Sequence, residues 1–227
     1  MSSCNDCPFH DIDATIEKYQ NDMNTYLRET NTLIDNWELY EEFQKNINLI
    51  NISLPKTTAV HSFNTIQLSL SSMTWLSLMK LWDDKIKEKN NVRLARIYTF
   101  IKDGRFKNFI TEKYSEYPDI IKIHINKRKK FLALYDEYTN GTSKNIYEEL
   151  KKIRHEILAH AQIDSVLSCL HLKEDLNKFY IDTIQMIEIA YYLFNVGISL
   201  GEWQERVRRN ARSLVAVMTK SESSSLS

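Results

Sequence analysis

Hydrophobic residues recur at intervals of three and four along most of the chain, which is the period of an amphipathic α-helix. The first such stretch, over residues 11–48, predicts one long helix or a pair of helices. Residues 51–58 break the pattern, because Pro55 disfavours helix at Leu54 and removes a backbone donor. The next stretch, 59–89, is apolar nearly all round in its middle, which predicts a helix buried among several neighbours.

The remaining pattern predicts further helices separated by recognisable breaks. Gly104 ends one helix, and Pro118 breaks or kinks another. The turn Asn140-Gly141-Thr142-Ser143 ends a third helix, and Ser143 or Thr142 can cap the next one. Gly201 bends a later helix. The predicted helices run over about 92–102, from Arg105 up to Pro118, from Asp119 to the turn at Asn140, and over about 173–200, with one more helix between that turn and a looser stretch from Gln162. The sequence therefore predicts an all-α fold, a bundle of about six or seven helices in one domain over 1–218, followed by a disordered Ser-rich tail at 219–227.

Composition narrows the class of protein. Only four Gly and three Pro punctuate the 227 residues, too few for many short strands, and 43% of the residues are hydrophobic. No segment is apolar enough for a membrane span and the start does not resemble a signal peptide, so we expect a cytoplasmic protein that is not bound to a membrane. Thirty Lys and Arg balance thirty Asp and Glu, so any site for a polyanion must be local.

Several basic runs are candidates for such a local site, although charge runs are also common on solvated helix faces. They are Lys127-Arg128-Lys129-Lys130, the pair Lys151 and Lys152, and Arg206, Arg208, Arg209 and Arg212. Tyr191 and Tyr192 can stack on bases, although tyrosines at helical spacing are also typical of a core.

The cysteines do not predict a disulfide framework, because there are three of them. Cys4, Cys7 and His10 form a Cys-x2-Cys-x2-His run that can donate three zinc ligands, and Cys169 and His171 are the candidates for a fourth. The alternative is that these are reduced thiols on an N-terminal segment. We predict no metal and no cofactor.

An Arg-x5-His pair carries the most chemical information in the chain. Arg154 and His160 lie within a strongly helical segment. A guanidinium matches phosphate oxygens in a bidentate way and imidazole titrates near neutral pH, a combination that suits phosphodiester cleavage. The alternative is structural: His160 as a core histidine with a hydrogen-bond partner, and Arg154 as a flank residue that pairs with Glu149 or Asp164.

The run from Leu150 to His160 resembles the Arg-x4-6-His motif of the HEPN superfamily of helical domains. Its Leu-Ala-His ending is similar to the branch named for abortive-infection system U, as is Trp82-Asp83-Asp84 at the end of a hydrophobic helix. The resemblance covers about 59–200, which would be the HEPN-like core.

This resemblance implies a homodimer in which two motif helices face each other and form a composite, metal-independent ribonuclease site. Arg154 would then bind and neutralise the scissile phosphate, His160 would transfer protons as the ribose 2′-hydroxyl attacks, and His155 would tune the site. Lys151 and Lys152 adjoin the motif and are the most credible RNA-binding residues.

Two main classes of function are therefore open, beside a nucleotide-binding regulator, whose site would have to be built from helix side chains because the sequence has no Gly-rich phosphate loop. One is a HEPN-type endoribonuclease that acts as a toxin or phage-defence effector. The other is a non-catalytic HEPN-like module that binds RNA or a protein such as an antitoxin.

Overall fold

A computed structural model of the chain describes residues 12–54, 58–83, 93–160 and 173–219; the side chains at 24–25, 58, 153–160 and 173 lie outside that description. Within these ranges the chain forms nine α-helices and no strand, which confirms the all-α prediction. The helices are α1 Ile12–Lys45, α2 Ile47–Ser53, α3 Thr58–Trp82, α4 Leu94–Lys102, α5 Gly104–Lys113, α6 Pro118–Thr139, α7 Lys144–His160, α8 Lys173–Leu193 and α9 Leu200–Thr219. None of these described helices combines the length and apolar character that a membrane span requires.

Two prolines act at helix ends as the sequence predicts. Leu54, before Pro55, adopts an extended conformation with ψ of 129° and ends α2. Pro118 occupies the first turn of α6, where its missing N–H costs nothing, so it opens a helix and does not kink one. The break predicted at 51–58 starts later than expected, because α2 continues through Ser53.

The count of six or seven helices was too low, and one cause is the end of α8. Asn195 has a φ of 59°, a left-handed conformation that asparagine tolerates better than most residues. Its N–H donates to Tyr192 O at 3.0 Å and the Val196 N–H to Tyr191 O at 2.8 Å, the two hydrogen bonds of a Schellman cap. The chain therefore leaves the helix at Leu193, and Gly201 lies inside α9 instead of bending α8.

The chain divides into two compact units, and each has its own buried side chains. The prediction of a single domain over 1–218 stays a prediction. Unit 1 comprises Met1–Leu27, Trp82–Tyr147 and Ile181–Ile198, and unit 2 comprises Arg28–Leu81, Glu148–Tyr180 and Ser199–Ser227.

Aromatic rings fill the interior of unit 1. Tyr19 stacks on Phe100 and Phe194 with centroid distances of 4.9 and 5.2 Å. Trp82 stacks almost parallel on Tyr135 at 5.3 Å. Such offset stacks contribute about 0.5–1.5 kcal/mol each beyond the burial of their area.

Unit 2 combines a stacked aromatic pair with a cluster of buried hydrophobic side chains. Trp37 stacks on Tyr180 at 4.8 Å, while Phe43 and Phe63 pack with Ile50 and Val215. These contacts join α1, α2, α3 and α9 within the unit.

The prediction that α3 is buried nearly all round is correct only for its C-terminal part. Trp75 and Leu78 are buried, whereas Ile66 and Met73 are 48% and 45% exposed. The hydroxyls of Thr65 and Ser69 donate to carbonyls four residues earlier in the helix. The hydroxyls of Thr65 and Ser69 therefore need no partner outside the helix, and the N-terminal part of α3 keeps an exposed face.

Candidate functional site

Helix α7 carries the Arg-x5-His pair, and the prediction that this segment is helical is confirmed. On an α-helix, Arg154 and His160 are separated by about 9 Å along the axis and by about 120° around it. The structure describes the backbone at Arg154, His155 and His160, whereas their side chains lie outside the described residues. Their roles stay a prediction.

The turn before α7 is fixed by one carboxylate. Glu137 Oε1 accepts hydrogen bonds from Thr142 Oγ1 at 2.6 Å, Ser143 Oγ at 2.7 Å and the Ser143 N–H at 3.0 Å. Ser143 takes the N-cap position that the sequence offers to it or to Thr142, and its carbonyl accepts from the Tyr147 N–H at 3.4 Å. A Cβ on Gly141 would lie 2.8 Å from Glu137 Cα, so only glycine fits in this turn.

Trp82 anchors the first turn of α7. The Tyr147 hydroxyl donates to Trp82 O at 3.2 Å, and the two rings pack 5.4 Å apart. Trp82 is 1% exposed and its indole N–H donates to Thr183 Oγ1 at 2.9 Å. The tryptophan in the Trp-Asp-Asp sequence therefore holds the first turn of the motif helix in place.

The two aspartates after Trp82 differ in what the structure describes. Asp83 forms an ion pair with Arg93 at 2.7 Å, and both side chains are largely buried. Asp84 lies outside the described residues. The Asp83–Arg93 ion pair therefore lies next to Trp82 along the chain, within unit 1.

The lysines proposed as RNA-binding residues lie on α7 between its anchor and Arg154. Lys152 is exposed and Lys151 is half-buried. The exposed ammonium of Lys152 is accessible to a phosphate, and its proximity to Arg154 in sequence is what the prediction rests on.

The basic run on α9 has acidic partners that sequence reasoning did not find. Glu38 on α1 is 4% exposed and forms a bidentate pair with Arg208, with Nε to Oε2 at 2.6 Å and Nη2 to Oε1 at 2.9 Å. Hydrogen bonding to Glu38 raises the pKa of Arg208. The pKa of Tyr180, whose hydroxyl donates to Glu38 at 3.2 Å, is raised well above its usual value by burial and then by that carboxylate.

Other arginines of this run also have partners within unit 2. Arg206 lies 3.9 Å above the Trp203 ring, and Trp203 donates its indole N–H to Asp35 at 2.9 Å. Arg212 lies 3.8 Å from a Glu42 oxygen. Arg208 in particular stabilises unit 2 through its pair with Glu38.

The tyrosine pair at 191–192 divides between core and surface. Tyr191 is 1% exposed and its hydroxyl donates to Met23 O at 3.3 Å. Tyr192 is 37% exposed. Of these two tyrosines, only Tyr192 is therefore accessible to a base.

The candidate zinc ligands Cys4, Cys7, His10, Cys169 and His171 lie outside the described residues. Within the described part of the chain, no group of three His, Cys, Asp or Glu side chains is arranged to hold a metal ion.

The chain is similar to a known family of proteins. The HEPN family AbiU2 matches residues 16–214, which includes both the Trp82 anchor and the whole of α7. Neither a curated protein nor a solved structure matches the chain. Since the family match extends over most of the 227 residues, the chain belongs to the AbiU2 family of HEPN domains.

Proposed function

We propose that this protein is a metal-independent endoribonuclease that acts as a toxin or phage-defence effector in the cytoplasm. The observation that carries the proposal is that Arg154 and His160 lie on one continuous helix of a chain that belongs to a HEPN family. The proposal requires no cofactor.

The chemistry follows from the two side chains. The ribose 2′-oxygen attacks phosphorus, the bond to the 5′-oxygen breaks, and a 2′,3′-cyclic phosphate and a 5′-hydroxyl form. The His160 of one copy takes up the proton of the 2′-hydroxyl and the His160 of a second copy delivers a proton to the leaving 5′-oxygen. The Arg154 guanidinium stabilises the extra negative charge of the phosphorane more than that of the ground state. His155 tunes the site, and Lys151 and Lys152 contact the RNA backbone.

A second copy of the chain completes this site. Positions 154 and 160 lie about 120° apart around an ideal helix, so a single helix is not expected to direct both residues toward one phosphate. Two α7 helices facing each other across a two-fold axis bring an arginine and a histidine from each copy into one cleft. The proposed active form is therefore a homodimer.

Purified protein incubated with structured and single-stranded RNA in EDTA tests the proposal. We expect the Arg154→Ala, His160→Ala double variant to lose at least about a hundredfold in rate, as removal of an acid–base group does. Lys144→Ala, an exposed change on the same helix, is the matched control and should keep full activity. Equal absence of cleavage by wild type and double variant over a broad RNA panel refutes the proposal.

The second candidate is a non-catalytic module that binds a protein such as an antitoxin. The exposed Ile66 and Met73, seven residues apart on one face of α3, favour it, as does Ile52 at 82% exposure. If His160→Ala alters the melting temperature or dimer affinity while the wild type never cleaves RNA, this second candidate is correct.

A further inference from the structure

Five side chains of unit 1 contact one another in succession, and we name them the aromatic row. Lys113 Nζ lies 5.8 Å from the Tyr114 ring centroid, and Tyr114 stacks on His124 at 4.8 Å. His124 packs on Tyr192 at 4.9 Å, and Lys127 Nζ lies 4.4 Å above the Tyr192 ring. The row thus runs from a cation through three rings to a second cation.

The centre of the aromatic row is rigid. His124 is 5% exposed, and its Nδ1 lies 2.9 Å from Ile120 O. A carbonyl only accepts, so Nδ1 carries the proton and the ring orientation is fixed. His124 therefore holds Tyr114 and Tyr192 in place from the inside.

The outer parts of the row are accessible. Lys113 is exposed and Tyr192 is 37% exposed, and Tyr117, three residues after Tyr114, is 57% exposed. Exposed tyrosines beside lysines offer both a ring face for a base and a cation for a phosphate. They are common where single-stranded nucleic acid binds.

The charge of the surrounding segment is strongly positive. Residues 93–130 contain eleven Lys and Arg against four Asp and Glu, in a chain whose total charge is zero. Lys107, Lys122, Lys129 and Lys130 in this segment are exposed as well. A local excess of seven positive charges raises the local concentration of a polyanion.

We propose that the aromatic row, together with Tyr117, is a docking site for single-stranded RNA. Lys113 and Lys127 bind phosphates, and Tyr117 and Tyr192 stack on bases. Lys127 covers one face of Tyr192 through a flexible stem, so phosphate binding draws the ammonium off the ring and opens that face. The choice of RNA as the ligand rests on the proposed function. The docking site itself contains neither Arg154 nor His160.

Binding of a fluorescently labelled 2′-O-methyl RNA of about 16 nucleotides tests the proposal. Single domains that bind nucleic acid by base stacking have sites of up to about that length. This probe lacks the free 2′-hydroxyl, so it binds without being cleaved by that route. We expect Lys113→Glu, Lys127→Glu to weaken affinity at least about tenfold and to reduce the salt slope by about 1.4, or about 0.7 for each lost phosphate contact. Tyr117→Ala should weaken affinity about tenfold.

The matched control is Lys18→Glu, Lys178→Glu, which makes the same change in net charge at two exposed lysines outside the row. It should weaken affinity less than about threefold, because neither lysine belongs to the row and the change acts only through net charge. Melting temperatures of all variants establish that each is folded.

Three outcomes overturn the proposal: equal weakening in both double variants, no measurable binding by wild type at low salt, or equal binding of an acidic polypeptide such as polyglutamate. The last outcome would make the row a surface for acidic proteins. If wild type cleaves RNA while the row variants bind normally, only this inference fails. If the row variants lose binding while wild type never cleaves, only the proposed nuclease activity fails.

Discussion

The basic runs on α6 and α9 look alike in sequence but have different partners in the structure. Arg208 on α9 is neutralised by the buried carboxylate of Glu38. On α6, Arg128 donates to two backbone carbonyls and Lys127 lies over the Tyr192 ring. A carboxylate cancels a positive charge, whereas a carbonyl or a ring leaves the net charge in place. The α6 run is therefore the better candidate for attracting a polyanion.

The difference originates in the neighbouring helix of each run. Helix α1 places Asp35, Glu38 and Glu42 at intervals of three and four residues, so these carboxylates share one face with which α9 pairs. The α6 run instead contacts the carbonyls of Ile101 and Lys102 at the end of α4. The density of charge in a sequence does not distinguish these two cases.

The largest expected effect is on the α9 side of the comparison. Arg208→Ala leaves the Glu38 carboxylate, 4% exposed, without its cation. Breaking a buried pair typically costs 3–5 kcal/mol, but Arg208 is 39% exposed, so water partly replaces it and we expect about 2–3 kcal/mol. Urea unfolding measures the free energy of unfolding.

Arg209→Ala is the control for this change, since its side chain is exposed on the same helix, and it should stay within about 0.5 kcal/mol of wild type. Equal losses from the two alanine variants would mean that the Glu38 pair is not what distinguishes α9.

Alkaline pH should destabilise the fold through its buried tyrosines. Burial raises the pKa of Tyr19 to about 12 from its usual value near 10. The unfolded chain ionises first, so the contribution of this group to stability is complete below pH 10 and is lost between about pH 10 and 12. The loss amounts to about 2–3 kcal/mol for Tyr19 alone. Unfolding free energies across this range measure it.

Tyr19→Phe should flatten this pH dependence, because phenylalanine does not ionise. Tyr117→Phe, at an exposed position, should leave it unchanged. Tyr180→Phe gives the same test in unit 2, where burial and the neighbouring Glu38 carboxylate raise the pKa of the phenol. A slope that is identical in all variants would contradict the prediction.

Arg128→Ala should have a smaller effect than Arg208→Ala. It removes two hydrogen bonds of 2.8 Å, to Ile101 O and Lys102 O, which satisfy carbonyls at the C-terminal end of α4. Water can reach this helix end, so we expect a loss of about 1 kcal/mol by thermal denaturation. The neighbouring exposed Lys129→Ala should change stability by less than about 0.5 kcal/mol. A loss as large as that of Arg208→Ala would erase the distinction between the two runs.

The sequence predicted those features of the fold that depend on neighbours along the chain. The apolar period located α7, and Pro118 and Pro55 marked helix boundaries, because proline restricts the backbone wherever it occurs. The break after α8 was missed. Its signal was Asn195, one of the few residue types that adopt a left-handed conformation readily.

Contacts between distant residues could not be predicted in this way. Glu38 and Arg208 are 170 residues apart, and nothing in their local sequence shows that their faces meet. Likewise, the resemblance singled out Trp82, but only packing shows that its carbonyl accepts from the Tyr147 hydroxyl and so holds the first turn of α7. The catalytic roles proposed for Arg154 and His160 would require side chains of two copies to converge, which a helical period does not specify.

The smallest effect on stability is expected at Lys127, and it gives the sharpest form of the comparison. Lys127→Ala removes one cation–π contact at a half-exposed site, about 0.5 kcal/mol, or a decrease of about 1–2 °C in melting temperature. Exposed Lys130→Ala is the control and should not shift it. If the Lys127→Ala change barely affects stability and yet weakens RNA binding, the charge of Lys127 is available to a ligand. If its replacement instead destabilises the protein as much as Arg208→Ala, Lys127 has a structural role equal to that of Arg208, and the α6 run loses its claim to a separate function.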